Sequence, residues 1–143
     1  MSKVSVEDFN ALVRRESLFG AYLGFALESV EPGHAVLRLP YRNEFARPGG
    51  ATNGPVIMAI ADYAMYAVVM SLVEDGWKAL TTDLHTRFLR GAVASDLIAE
   101  GKVLKHGRRL FTAEVIVRAD GEDEPVAHVT GTYALPPAPR DAV

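Results

Sequence analysis

Residues 54–73 read GPVIMAIADYAMYAVVMSLV, and Asp62 is the one charged residue in this stretch. A run this long and apolar predicts a helix that is covered on nearly all sides. A lone carboxylate in such a helix loses water, which costs several kcal/mol unless the carboxylate is paired. Buried carboxyls also serve enzymes as bases and nucleophiles. The position of Asp62 therefore predicts either a catalytic carboxylate or a structural one, bonded to backbone or lying at a dimer interface.

The composition is that of a soluble globular protein. The chain has 143 residues, of which 49% are hydrophobic and 23% charged, and this suits one domain over residues 1–143. The net charge of −3 argues against a nucleic-acid binder. The chain contains no cysteine, which excludes disulfides, thiolate metal sites and cysteine nucleophiles.

Two features of the sequence bear on location. The first residues, MSKVSVED, lack the apolar core of a signal peptide. Residues 55–73 are near the lower length limit for a membrane-spanning helix, but Asp62 interrupts them and the usual basic flanks are missing. We therefore expect a cytoplasmic protein that does not enter a membrane and buries this helix in its own fold.

Hydrophobic periodicity predicts a short helix, the long apolar helix and six strands. The short helix spans about 5–16, with Ser5 as its N-cap. Two strands joined by a Glu31-Pro32-Gly33 turn precede the long helix, and four strands in an antiparallel meander follow it. We expect the tail, 136–143, to be frayed. The predicted strands cover 23–30, 35–40, 78–89, 97–105, 109–119 and 126–135.

A helix this apolar needs cover around most of its circumference. The economical arrangement is a curved antiparallel sheet wrapped around one long central helix, which belongs to the α+β class.

Three segments carry a resemblance to a known family. They are the turn GGATNGP at 49–55, the helix segment MAIAD at 58–62, and the strand TTDLHTRFLRG at 81–91 followed by GKVLKHGRRLF at 101–111. With its elements in this order, the chain resembles the hotdog-fold thioesterases, above all the phenylacetate-degradation (PaaI-like) acyl-CoA thioesterase branch, over about 15–135. The resemblance implies hydrolysis of an acyl-CoA to free CoA and a carboxylic acid. No cofactor is expected, because CoA would be part of the substrate.

The turn at the helix start departs from the family pattern. That family opens the central helix with His-Gly-Gly and places an acidic residue nine positions after the His. Here Asn53-Gly54-Pro55 occupies the turn, and Asp62 lies nine residues after Asn53. The match implies that Asp62 is the nucleophile or general base and that the Gly54 N–H holds the thioester oxygen. Asn53 suits an N-cap, and its amide can hydrogen-bond the thioester or the water, but it cannot act as a base.

Two threonines are candidates for orienting the water. Thr81 matches the hydroxyl residue of some relatives in one alignment, and Thr82 matches it in another. Simple strand alternation predicts Thr82 on the more apolar face, together with Leu84 and Phe88. An ordinary surface threonine is the alternative for either residue.

The spacing of Gly54 and Asp62 implies a dimer. Eight residues along one helix separate them by about 12 Å, too far for one thioester to meet both groups. The family solves this by pairing two helices, so that one subunit supplies the N–H and the other the carboxylate. We therefore expect a homodimer with its site at the subunit interface, or a dimer of such dimers.

The rest of the substrate site follows from position and charge. Tyr66 lies one helical turn beyond Asp62 and is a candidate for lining the acyl pocket. Basic residues near strand ends are candidates for binding the phosphates of CoA, although ordinary solvated strand ends explain them equally. These residues are Arg87, Arg90, Lys105, Arg108 and Arg109.

The four histidines have no spacing typical of a metal site, so none is expected. Asp83 and His85 share a strand face, where an exposed polar stripe is the simpler explanation than a catalytic pair. Two other functions stay open for this fold. One is a hydratase or dehydratase acting on an acyl thioester, which usually needs the His that Asn53 replaces. The other is a non-catalytic acyl-CoA-binding protein.

Overall fold

The computed structural model describes residues 1–139. Its helices are α1 (Val6–Glu16), α2 (Leu18–Leu23) and α3 (Gly54–Leu72), and two short 3-10 turns lie at Asn43–Phe45 and Gly76–Lys78. Its strands are β1 (Ala26–Glu31), β2 (His34–Leu39), β3 (Leu80–Phe88), β4 (Leu97–His106), β5 (Leu110–Ala119) and β6 (Pro125–Ala134). In the predicted tail, residues 136–139 lie exposed outside regular structure, and 140–143 lie outside the described residues.

The strands form one antiparallel sheet in the order β1-β2-β4-β5-β6-β3, and α3 contacts every strand of it. Burial alternates along the central strands. In β5 the side chains of Phe111, Ala113, Val115 and Val117 are buried, and the residues between them face outward. The structure thus confirms the α+β arrangement of one sheet around one long helix.

The long helix begins where the sequence predicts. Asn53 is its N-cap, with Oδ1 accepting the Val56 N–H at 3.1 Å, and Pro55 lies in the first turn. Most of α3 is buried: 61% of its most apolar 18-residue window lies inside the fold, as in the core helix of a soluble protein. The incompletely buried residues between the first turn and Leu72 form one stripe at helical spacing, which we call the open stripe: Met58, Ala59, Asp62, Tyr63 and Tyr66.

Two predictions about the elements are wrong. The strand predicted over 23–30 starts only at Ala26, because Ser17 caps a short helix that Gly24 ends in the left-handed conformation. The four later strands do not form a simple meander. Instead β3 pairs with β6 at the sheet edge while β4 pairs with β2, so the chain crosses over between β3 and β4.

Candidate active site

Asp62 projects from the open stripe towards the end of the sheet where β3 and β6 pair. Its Oδ1 accepts hydrogen bonds from Thr81 Oγ1 at 2.8 Å and from the Tyr133 hydroxyl at 2.5 Å. Within residues 1–139, Oδ2 has no hydrogen-bond partner and no Lys, Arg or His pairs with the carboxylate. The carboxylate is therefore held by neutral donors on one oxygen and left available on the other.

A bulge in β3 decides which threonine reaches Asp62. The pairing with β6 slips between Thr81 and Asp83, so Thr81 lies opposite Tyr133 while Thr82 falls in the irregularity. The Thr82 hydroxyl donates to the Thr132 carbonyl at 3.0 Å instead. The expectation that Thr82 shares a face with Leu84 is wrong, because a bulge shifts the alternation of a strand by one residue.

Tyr133 is the residue of this site that the sequence analysis missed. It is 5% exposed, and its ring stacks on that of Tyr66 with centroids 6.2 Å apart. Burial, and then the nearby Asp62 carboxylate, raises the pKa of Tyr133, so its hydroxyl stays protonated and can donate. The only signal for it is its position opposite Thr81, which is visible once the β3–β6 pairing is known.

Tyr66 lies beside the carboxylate without bonding to it. Its hydroxyl donates to the Trp77 carbonyl at 2.6 Å, and burial raises the pKa of Tyr66. The ring also meets Phe9 of α1 edge-on, at 6.0 Å between centroids. Tyr66 thus forms part of an aromatic wall next to Asp62, which is consistent with a place at the acyl pocket.

The start of α3 carries the second group of candidate residues. Gly54 has a backbone N–H with no acceptor within residues 1–139, and Pro55 has no N–H to offer. Gly54 lines a cavity of about 320 Å³ together with Phe88, Ile57 and the neighbouring loop. Asn53 has a structural role: its side chain caps the helix, and its N–H donates to the Phe45 carbonyl at 2.8 Å.

The five predicted basic residues lie at three places: Arg90 at the Gly54 cavity, three residues at the β4–β5 turn, and Arg87 on the outer face of the sheet. Arg90 lines the Gly54 cavity and pairs with Glu124. Arg47 lines the same cavity, was not predicted, and forms no ion pair within residues 1–139.

Lys105, Arg108 and Arg109 surround a second cavity of about 520 Å³ at the β4–β5 turn, beside Thr112 and Thr132. Arg87 belongs to neither group. It lies on the outer face of the sheet opposite His128, which in turn bonds Glu114 at 3.1 Å. Within residues 1–139, no three metal-ligating side chains come together.

Comparison with known proteins shows the family to which the chain belongs. The model of the thioesterase superfamily matches residues 49–126, the stretch that runs from the loop before α3 to the second residue of β6. A protein of Saccharolobus solfataricus named "Putative esterase" is 31% identical over 102 residues, which cover 71% of this chain and 72% of that protein. The chain belongs to the thioesterase superfamily.

Solved structures of this superfamily share the hotdog fold of the chain. A thioesterase family protein from Silicibacter pomeroyi is 26% identical, with a TM-score of 0.78 over 88% of this chain and 93% of that one. The zebra fish thioesterase superfamily member 2 is 19% identical, with a TM-score of 0.83 over 93% of this chain and 99% of that one. At that identity the likeness concerns the fold alone. Membership in the superfamily supports hydrolysis of a thioester.

Proposed function

We propose that this thioesterase superfamily protein is an acyl-CoA thioesterase. Water and the acyl-CoA give a carboxylic acid and free CoA, as the bond between carbonyl carbon and sulfur breaks and the thiolate takes up a proton. The observation that carries the proposal is the carboxylate of Asp62, held on one oxygen by Thr81 and Tyr133 and, among the described residues, unpartnered on the other. A carboxylate in this state suits a general base or nucleophile.

The helix start supplies the complementary charge. The first N–H groups of a helix are unsatisfied, and its dipole is positive at that end. In this proposal the Gly54 N–H stabilises the oxyanion that forms on the thioester carbonyl when water or Asp62 attacks it. Both routes give the same products, with Asp62 either removing a proton from water or passing through an acyl-enzyme anhydride.

A second copy of the chain completes each site. Gly54 and Asp62 lie eight residues apart on α3, about 12 Å along the axis, so they serve one thioester only across an interface. The open stripe that carries Asp62 is apolar for the most part and lies beside β3 at the sheet edge. The exposed apolar residues of β3 include Leu80 and Phe88, 67% and 51% exposed, which an isolated soluble chain would rarely leave uncovered.

Two clusters of basic residues are candidates for binding the phosphates of CoA. Arg47 and Arg90 lie at the Gly54 cavity, and Lys105, Arg108 and Arg109 lie at the β4–β5 turn. Guanidinium groups bind phosphate through paired hydrogen bonds, and both groups stand out in a chain of net charge −3. We assign the first group to CoA, because it shares a cavity with the proposed oxyanion donor.

The proposal is tested by thiol release from a panel of aromatic, medium-chain and short polar acyl-CoAs. The wild type is compared with Asp62→Asn and with Asp83→Asn, a matched loss of a carboxylate on the opposite face of β3. We expect turnover of at least one substrate, a fall of about 10²–10⁴-fold in Asp62→Asn, and little change in Asp83→Asn. Saturable binding without turnover by the wild type would favour a non-catalytic binding protein instead.

A further inference from the structure

Two hydroxyls from different strands reach the same oxygen of Asp62. Thr81 of β3 donates to Oδ1 at 2.8 Å, and the Tyr133 hydroxyl of β6 lies 2.5 Å from it. The Tyr133 hydroxyl is also 2.8 Å from the main-chain carbonyl oxygen of Asp62. One phenol thus contacts both the side chain and the helical turn that carries it.

The surroundings of Tyr133 hold that phenol in place. The side chain is buried, and its ring stacks on Tyr66, which is fixed in turn by its own bond to the Trp77 carbonyl. The raised pKa of Tyr133, caused first by burial, keeps the hydroxyl a donor at neutral pH. A core tyrosine whose hydroxyl simply needs a partner would be satisfied by a main-chain carbonyl alone. The short contact with Oδ1 goes beyond that need.

We propose that Tyr133 is a positioning residue of the reaction, which together with Thr81 occupies Oδ1 of Asp62 so that Oδ2 is the oxygen that meets water or the thioester carbonyl. This inference rests on the proposed thioesterase function and deepens it. Hydrogen bonds to a charged acceptor are shorter and stronger than neutral ones, so two of them fix the carboxylate plane. Correct placement of a reacting group matters, since an error of about 1 Å costs as much as about 10²-fold in rate.

The same two donors also stabilise the ionised carboxylate. If one is removed, the carboxylate accepts a proton more readily, and the acid limb of the pH–rate profile moves to higher pH. The groups that face the carboxylate are Thr81 from β3, Tyr133 from β6 and Tyr66 from its own helix, with Glu16 of α1 acting on Tyr66. Thr81 does not titrate, and burial raises the pKa of both tyrosines, so these three hydroxyls keep their protons at neutral pH.

The test compares Tyr133→Phe, which keeps the ring, with Thr81→Val, which removes the other donor to the same oxygen. Thr81→Ser keeps a hydroxyl and serves as the conservative control. We expect kcat to fall about 10- to 100-fold in Tyr133→Phe and Thr81→Val, with KM changed by less than about threefold. The acid limb should move to higher pH in both, and Thr81→Ser should retain the wild-type profile. Circular dichroism and thermal unfolding establish that each variant is folded.

A kcat within about twofold of the wild type and an unmoved acid limb in Tyr133→Phe would overturn the inference. A second readout does not depend on turnover: the ¹³C signal of the Asp62 carboxyl, followed against pH in wild type and Tyr133→Phe. A protonation midpoint that rises in the variant supports the positioning role, and an unchanged midpoint contradicts it. If the wild type hydrolyses no acyl-CoA, the proposed function fails, while this titration still decides whether Tyr133 acts on the Asp62 carboxylate.

Discussion

Gly54 combines two properties that a pair of substitutions can separate. Its N–H has no acceptor within residues 1–139, and a Cβ added to it would lie 3.3 Å from the Phe88 ring. Gly54→Ala introduces that Cβ and keeps the N–H, whereas Gly54→Pro introduces it and removes the N–H. Proline suits the first helical position, and the extended backbone of Asn53 tolerates a following proline.

We expect Gly54→Pro to lower kcat by about 10²–10³ relative to Gly54→Ala, because an oxyanion donor is lost. Thiol release under saturating acyl-CoA measures the difference, and thermal unfolding shows whether the two variants are equally stable. Equal rates for the two variants would show that this N–H does not hold the thioester oxygen.

At the residue scale the sequence points to Asp62 and Gly54 as candidates but not to the hydrogen-bond partners of Asp62. A single charge in an apolar run is visible without a structure, and so is a glycine beside a proline at a helix start. Tyr133 lies 71 residues from Asp62 along the chain, and nothing in its local sequence marks it. Its role depends on which strands pair, which is a property of the whole sheet.

At the start of helix α3, the N-cap residue Asn53 lies directly before Gly54, the proposed oxyanion donor. Asn53 caps the helix through Oδ1, and its side chain lies next to the proposed oxyanion site. Asn53→Asp keeps the cap acceptor and adds a negative charge that the helix dipole favours, yet the same charge opposes an oxyanion at Gly54. We expect Asn53→Asp to preserve or raise the melting temperature while it lowers kcat.

Asn53→Ala is the matched control, because it loses the cap without adding charge. It should destabilise the fold by about 1 kcal/mol, read from urea unfolding. If Asn53→Asp kept full activity, the developing negative charge would not lie at this helix start.

The loops that carry the basic groups give a second prediction at the scale of elements. We expect Arg47→Ala to raise KM for an acyl-CoA but not for the same acyl group on pantetheine, which lacks the nucleotide phosphates. Arg109→Ala at the β4–β5 turn is the control and should alter neither constant. If instead Arg109→Ala raised KM for the acyl-CoA and Arg47→Ala did not, the nucleotide of CoA would bind at the β4–β5 turn.

For strand β3, hydrophobic periodicity predicts the strand but neither its bulge nor its partner strand. Its alternation predicts a regular strand, but the bulge after Thr81 exchanges the faces of Thr81 and Thr82. Its place at the sheet edge is also hidden, since neighbouring strands in sequence usually pair and β3 pairs with the last strand instead. Local pattern establishes that β3 is a strand, whereas its partner depends on the crossover between β3 and β4.

At the scale of the whole molecule, the proposed site residues of one chain form two separate groups. Asp62 with Thr81 and Tyr133 lies some way along α3, and Gly54 with its cavity lies at the helix start. A two-fold dimer through the open stripe and the β3 edge would bring each group towards its complement in the other subunit, because such an interface uses the same surface twice. Breaking the edge with Leu80→Asp, at a residue that does not line the Gly54 cavity, should then abolish both dimerisation and activity, as read by light scattering and thiol release.

Shared sites make a sharper prediction about mixed dimers. Asp62→Asn and Gly54→Pro are each expected to be nearly inactive as homodimers. When they are co-expressed with different tags and purified as a heterodimer, one site combines both defects and the other combines an intact Gly54 with an intact Asp62. The heterodimer should therefore recover about half of the wild-type activity, since one of its two sites is whole. A site built within one chain predicts no recovery, because each subunit would carry one defect, so the measured rate of the heterodimer decides between the two architectures.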